Sequence, residues 1–174
     1  MESWIAARRS RRRATRILVV LALVLVAALA GADELSGRVV GVTDGDTIKV
    51  LHNGHPEVVR LRGIDAPEKR QPYGTRAKEL VASLTLGKTV TVHTTGRDRY
   101  GRLLGEVVLP DGRILNRELV RAGYAWWFRR YSADPTLARL ETEAREARRG
   151  LWADRHSIPP WEFRRGHGLA RAGS

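Results

Sequence analysis

A small α+β domain is the fold class the sequence predicts. Two stretches of alternating apolar and polar residues meet at Asn53-Gly54, the dipeptide most favoured in a two-residue hairpin turn. Further along, three segments repeat apolar residues at helical spacing and are bounded by residues that start and stop helices. The chain has no cysteine and no internal repeat, so a single packed core has to hold it.

The elements follow in order. "GRVVGV" (37–42) and "DTIKVLH" (46–52) read as strands, and "EVVRLRGI" (57–64) returns from the Asn53-Gly54 turn as a third. "GTRAKELVASL" (74–84) places Ala77, Leu80, Val81 and Leu84 on one helix face, with Thr75 expected to cap it. "KTVTVHT" (88–94) and "LLGEVVL" (103–109) are again strands, the second closed by the turn "PDG" at 110–112. "LNRELVRAG" (115–123) predicts a short helix with Gly123 beyond its end. The clearest helix starts with Asp134 as cap and Pro135 at its first position. It turns Leu137, Leu140, Ala144 and Ala147 to one face and stops before Gly150.

Ahead of this domain, "RRSRRRATR" (8–16) precedes fourteen uninterrupted apolar residues, Ile17 to Ala30. A basic region, a short apolar core and small residues after it describe a secretory signal over 1–32, with an uncleaved membrane anchor as the alternative. The protein is therefore expected to be exported, periplasmic or secreted, or else tethered through residues 17–30. Its net charge is +12, from 31 Lys+Arg against 19 Asp+Glu. Removing 1–30 takes six arginines and Glu2 away and leaves +7, which still suits an anionic partner such as nucleic acid. The expected organisation is leader 1–32, domain 33–155 and a C-terminal tail, 156–174, to which no chemistry is assigned.

The hairpin gives the acidic residues their meaning. With Asn53-Gly54 as a two-residue turn, paired positions sum to 107 and Asp46 faces Leu61. Asp65 lies four residues beyond Leu61, so alternation brings it to the same face as Asp46, and Glu68 follows after an Ala-Pro that turns the chain. Converging carboxylates repel unless a cation compensates, and oxygen donors without cysteine or clustered histidine favour Ca²⁺ or Mg²⁺ over zinc. Arg60 and Arg62 flank the same strand, and "DRYGR" (98–102) adds Arg99 and Arg102 around Tyr100 in a loop. Guanidinium forks suit phosphate. A hard metal, arginines and a spare carboxylate together form an apparatus for phosphoryl chemistry. On a flat ladder Arg60 would point away from Asp46, so strand twist or a bulge is needed to bring it round.

"DGDT" (44–47), "RLRGIDAPE" (60–68) and "DRYGR" (98–102), in that order and spacing, resemble the staphylococcal nuclease (thermonuclease) family over about residues 36–152. The resemblance implies an OB-fold, a five-stranded β-barrel with three helices. It implies Ca²⁺ held by the carboxylates of Asp46 and Asp65 and the backbone carbonyl of Ala66. It further implies Glu68 as general base, Arg60 and Arg102 as clamp on the scissile phosphate, and Arg99 and Tyr100 near the 5′ side of the nucleotide. The implied activity is Ca²⁺-dependent hydrolysis of DNA and RNA to 3′-phosphate products by a monomer without a stable protein partner. Ala66 stands where the best-known member has threonine. "AGYAWWFRRY" (122–131) is more aromatic than its counterpart, with Tyr131 as one candidate for nucleotide stacking.

The alternative function is a non-catalytic OB-fold module that binds nucleic acid, and retention of Asp46, Asp65, Glu68, Arg60 and Arg102 favours the enzyme. Trp126, Trp127 and Phe128 are expected to pack, since adjacent aromatics cannot all face one groove. "EAREARR" (143–149) reads as a solvated helix face with internal ion pairs.

Overall fold

The computed structural model describes residues 33–172; the leader expected over 1–32 lies outside them. Five strands, β1 (Glu34–Asp44), β2 (Thr47–His52), β3 (His55–Leu61), β5 (Thr89–Arg97) and β6 (Leu103–Val108), close a barrel in the order β1-β2-β3-β6-β5. Every pairing is antiparallel except β3 with β6. Register shifts in β1 between Val39 and Gly41 and between Val42 and Asp44 bend that strand, which lets one long strand pair β2 along one part and β5 along another.

The hairpin forms as its dipeptide requires. Asn53 and Gly54 take φ of 50° and 80°, the two positive values of a type I′ turn, and the ladder runs from His52 opposite His55 to Thr47 opposite Arg60. One residue further the N–H of Leu61 donates to the carbonyl of Asp46 at 2.8 Å. The third strand does not continue to Asp65, however. Gly63, at φ 78°, breaks it, and β4 (Ile64–Asp65) pairs instead with β7 (Trp126–Trp127) in a separate two-stranded ribbon.

Three helices, α1 (Gly74–Thr85), α2 (Leu115–Arg121) and α3 (Pro135–Glu146), match the three expected. Asp134 caps α3 by accepting from the Thr136 N–H at 2.7 Å, with Pro135 in the first turn. Two details differ. Thr75 lies inside α1, whose cap position is Tyr73 at φ 67° without a side-chain bond, and Ala147 is the residue at which α3 has already ended. A fourth helix, α4 (Pro160–Ala172), follows a 3₁₀ turn at Gly150–Ala153 and occupies the segment read as tail.

Ile48, Val50, Val59, Val90, Val92 and Val107 form the barrel interior, continuous with Ala77 and Val81 of α1, Leu115 and Leu119 of α2, and Leu137 and Leu140 of α3. Each Val, Leu or Ile side chain among them contributes roughly 1.5–3 kcal/mol on burial. Asn116 is the polar tie in this core. Its Oδ1 accepts from the Val107 N–H at 3.1 Å, and its Nδ2 donates to the carbonyls of Arg62 at 2.9 Å and Gly105 at 3.2 Å. Asn116 thus fixes α2 to the parallel β3–β6 junction just where the chain leaves for β4. Asn116→Ala strands a buried N–H and should lower stability by about 2 kcal/mol or more, measurable by urea unfolding.

Candidate active site

Each carboxylate of the site is placed by a different local device. Asp46 lies in the turn between β1 and β2, outside both strands, and its N–H donates to Asp44 Oδ1 at 3.1 Å. The turn fits closely because Gly45 has no side chain: a Cβ there would come within 2.7 Å of Ala66 Cβ and 2.8 Å of Ala77 Cβ. Asp65 is fully buried, carried by β4 opposite Trp126. Glu68 sits in the turn leading to α1, where its N–H donates to Gln71 Oε1 at 3.1 Å and its carbonyl accepts from the Gln71 N–H at 2.8 Å. Gly74 passes directly beneath that carbonyl, with which any Cβ would collide.

Arg60, from the end of β3, joins the two aspartates. Its Nη1 donates to Asp46 Oδ1 and its Nη2 to Asp65 Oδ1 at 2.7 Å. The expected obstacle from strand alternation does not arise, because Asp46 belongs to a turn and Asp65 to a second ribbon, so neither obeys the parity of the hairpin. Asp46 Oδ1 also accepts from Thr47 Oγ1 at 3.1 Å, and its Oδ2 accepts from the Ala66 N–H at 2.8 Å. Burial pushes the Asp46 carboxyl up to about 8, with Arg60 and the Ala66 N–H pulling it down and Asp44 adding to the rise.

The loop of Asp98 to Arg102 is built separately. Arg102 Nε donates to Asp98 Oδ2 at 2.7 Å, while Asp98 Oδ1 accepts from the N–H groups of Tyr100 at 2.9 Å and Arg102 at 3.0 Å. Burial acts to raise the Asp98 carboxyl, and the bonds from Arg102 and Tyr100 outweigh it and hold it below its ordinary value. Arg99 Nη2 donates to Tyr100 Oη at 2.6 Å, and both Arg99 and Arg102 lie over the Tyr100 ring, which is 68% exposed. Among the described residues no hydrogen bond or ion pair connects Arg99, Tyr100 or Arg102 to the cluster of Asp46, Asp65 and Glu68.

One residue that the sequence did not single out reaches that cluster. Arg164 of α4 donates through Nη2 to Asp65 Oδ2 at 2.7 Å and through Nη1 to Glu68 Oε1, also at 2.7 Å. Trp161, one turn earlier on α4, stacks on Phe128 with centroids 5.1 Å apart and rings 4° from parallel, and meets Trp126 edge-on at 5.7 Å. Trp126 in turn packs edge-on against Trp152 at 4.3 Å, so these aromatics do pack against one another. Tyr131 is 60% exposed and touches the edge of Phe128.

The donor chemistry suits a hard cation: two buried carboxylates joined by one guanidinium, with no sulfur or imidazole bonded to them among the described residues. Among the described residues no group of three His, Cys, Asp or Glu side chains forms a metal site.

Comparison with known proteins identifies relatives of the chain. A profile described as staphylococcal nuclease homologue matches residues 58–154, which includes Arg60, Asp65, Glu68 and Arg102. An uncharacterized endonuclease of Escherichia coli is 50% identical over 131 residues, covering 75% of this chain and 86% of that protein. A micrococcal nuclease of Shigella flexneri is 40% identical over 157 residues, covering 84% of this chain and 90% of that protein. Protein ParB of Escherichia coli is 45% identical over 160 residues, covering 86% and 90%. With a closed five-stranded barrel, the profile matched across more than half its length and relatives of this similarity, the chain belongs to the staphylococcal nuclease homologue family, a family of nucleases.

Proposed function

We propose that this protein is a Ca²⁺-dependent phosphodiesterase that hydrolyses DNA and RNA to 3′-phosphate products. The observation that carries the reading is the bridge of Arg60 between Asp46 and Asp65 with Glu68 close by: two buried acids, a phosphate-shaped fork and a more exposed carboxylate in one place. Relatives named endonuclease and micrococcal nuclease support it. Asp46, Asp65 and the Ala66 carbonyl would hold the ion, which when bound supplies Lewis-acid polarisation of the phosphate.

The protein's own groups do the rest. Glu68, about 40% exposed at its side chain, accepts a proton from the attacking water. Arg60 turns its planar fork to the phosphate oxygens as charge builds there. Arg102 joins from the neighbouring loop once phosphate replaces Asp98 as its partner, and Arg99 with Tyr100 borders the 5′ side. A plasmid digestion with Ca²⁺ or with excess chelator tests the reading: cleavage should fall at least about tenfold on chelation, and equal cleavage in both arms would contradict it.

Export is part of the same proposal, resting on the basic region and the fourteen-residue apolar run of the N-terminal segment. The mature chain should begin near Gly31 or Asp33. Mass spectrometry that finds the Met1 segment intact would favour the anchor instead.

A further inference from the structure

The guanidinium of Arg164 stands between the proposed metal ligand Asp65 and the proposed base Glu68, and it holds an oxygen of each. Nη2 takes Asp65 Oδ2 at 2.7 Å, while Nη1 takes Glu68 Oε1 at 2.7 Å and lies 3.3 Å from Asp65 Oδ1. Arg60 serves the pair differently: it approaches Asp65 through Oδ1 only, and its side chain is 18% exposed against 42% for Arg164. The inner arginine is part of the frame, and the outer one is a cap on it.

The segment that carries Arg164 docks on the domain through aromatic and hydrogen-bond contacts, with Trp161 edge-on to Trp126 at 5.7 Å among them. Trp161 stacks on Phe128, and the Ile158 carbonyl accepts from Gln71 Nε2 at 2.5 Å, with Gln71 itself bonded to the Glu68 backbone. Pro159 stands between α4 and the 3₁₀ turn that ends the domain, and no described residue of α4 belongs to the barrel-core cluster. The two cations compete. A divalent ion at Asp65 Oδ2 and the guanidinium fork repel each other and draw on the same negative charge, and Arg164 Nη1 covers one of the two Glu68 oxygens.

We propose that α4 is an autoinhibitory strap: Arg164 is an internal counter-cation that closes the acid cluster, and divalent cation and substrate phosphate gain access only when it withdraws. This rests on the nuclease reading above. With the docked state dominant by about ten to one, apparent Ca²⁺ affinity is reduced by about the same factor.

The test is a calorimetric Ca²⁺ titration of the full chain without nucleic acid, beside cleavage rates across Ca²⁺ concentration. Arg164→Met, similar in length and uncharged, should bind Ca²⁺ about tenfold more tightly and cut faster at limiting Ca²⁺. Its rate should meet that of the unaltered protein at saturation. Deleting any nearby positive charge tightens cation binding, so Trp161→Ala is the deciding companion: it keeps Arg164 and removes the stack on Phe128 that holds the strap, and it should shift the isotherm in the same direction. Unchanged Ca²⁺ affinity in a folded Trp161→Ala protein overturns the strap while the nuclease reading stands on its Ca²⁺-dependent cleavage. Lower turnover of Arg164→Met at saturating Ca²⁺ also overturns it, making Arg164 a phosphate ligand or a positioning residue for Glu68. If no protein in the series binds Ca²⁺ or cleaves, the nuclease reading falls and the strap with it.

Discussion

Glu68→Gln lowers turnover by roughly 10² to 10⁴ while leaving the fold and nucleotide affinity in place. The substitution keeps the size of the side chain and one carbonyl oxygen, so a bond from Arg164 Nη1 survives, and the turn is held by Gln71 and by the fit over Gly74, neither of which involves the carboxylate. What is lost is the ability to accept a proton from water. The side chain is about 40% exposed, so no buried charge is stranded and no large stability change accompanies the loss. Turnover on DNA at saturating Ca²⁺, affinity for an inhibitor nucleotide and far-UV CD on the purified variant decide the matter. Near wild-type turnover in a folded protein would make Glu68 structural here and remove it from the proposed mechanism.

How far these residues were legible in the sequence depends on the range of the interaction that places them. The hairpin was legible because Asn53-Gly54 acts locally, and the register it sets runs true to Thr47 opposite Arg60. Convergence of Asp46 with Asp65 was also reached, yet by a route the fold does not use: the strand stops at Leu61, and Gly63 and the pairing of β4 with β7 deliver Asp65. Alternation counts residues along one ladder and is blind to a second one. The same blindness produced the supposed conflict at Arg60. Thr75 was a sound cap by type, but Tyr73 in a left-handed conformation starts α1 because Gly74 must pass under the Glu68 carbonyl. Arg164 lies 96 residues beyond Glu68, and no local pattern links them. The signal that could have raised it was composition: Trp161 and Phe163 before a pair of arginines, after two prolines, is an unusual content for a solvated tail.

The second large effect is expected at Arg60, and it separates frame from chemistry. Arg60→Ala leaves Asp46 and Asp65, 2% and 0% exposed, next to each other without the cation that joins them. Breaking a buried pair by removing one partner costs about 3–5 kcal/mol, and here the bonds of Arg164 to Asp65 and of Thr47 and the Ala66 N–H to Asp46 offset part of it. Asp46, already pushed up to about 8 by burial, loses the pull of Arg60 and holds a proton more firmly, which also weakens it as a ligand for a cation. Arg60→Lys retains one positive charge but cannot span both acids and a phosphate, because an ammonium is a point donor where the guanidinium is a planar fork. Its stability should therefore lie between those of Arg60→Ala and the unaltered protein, while its turnover falls by roughly 10² to 10³, as for loss of a preorganised donor to developing charge. Urea unfolding of Arg60→Ala, Asp46→Asn and their combination, beside Arg60→Lys, supplies the coupling energy. If the two single effects simply add in the double variant, the two side chains are not coupled. If Arg60→Lys turns over like the unaltered protein, Arg60 serves only as the frame that keeps the acids together, and the clamp on phosphate has to be sought in Arg102.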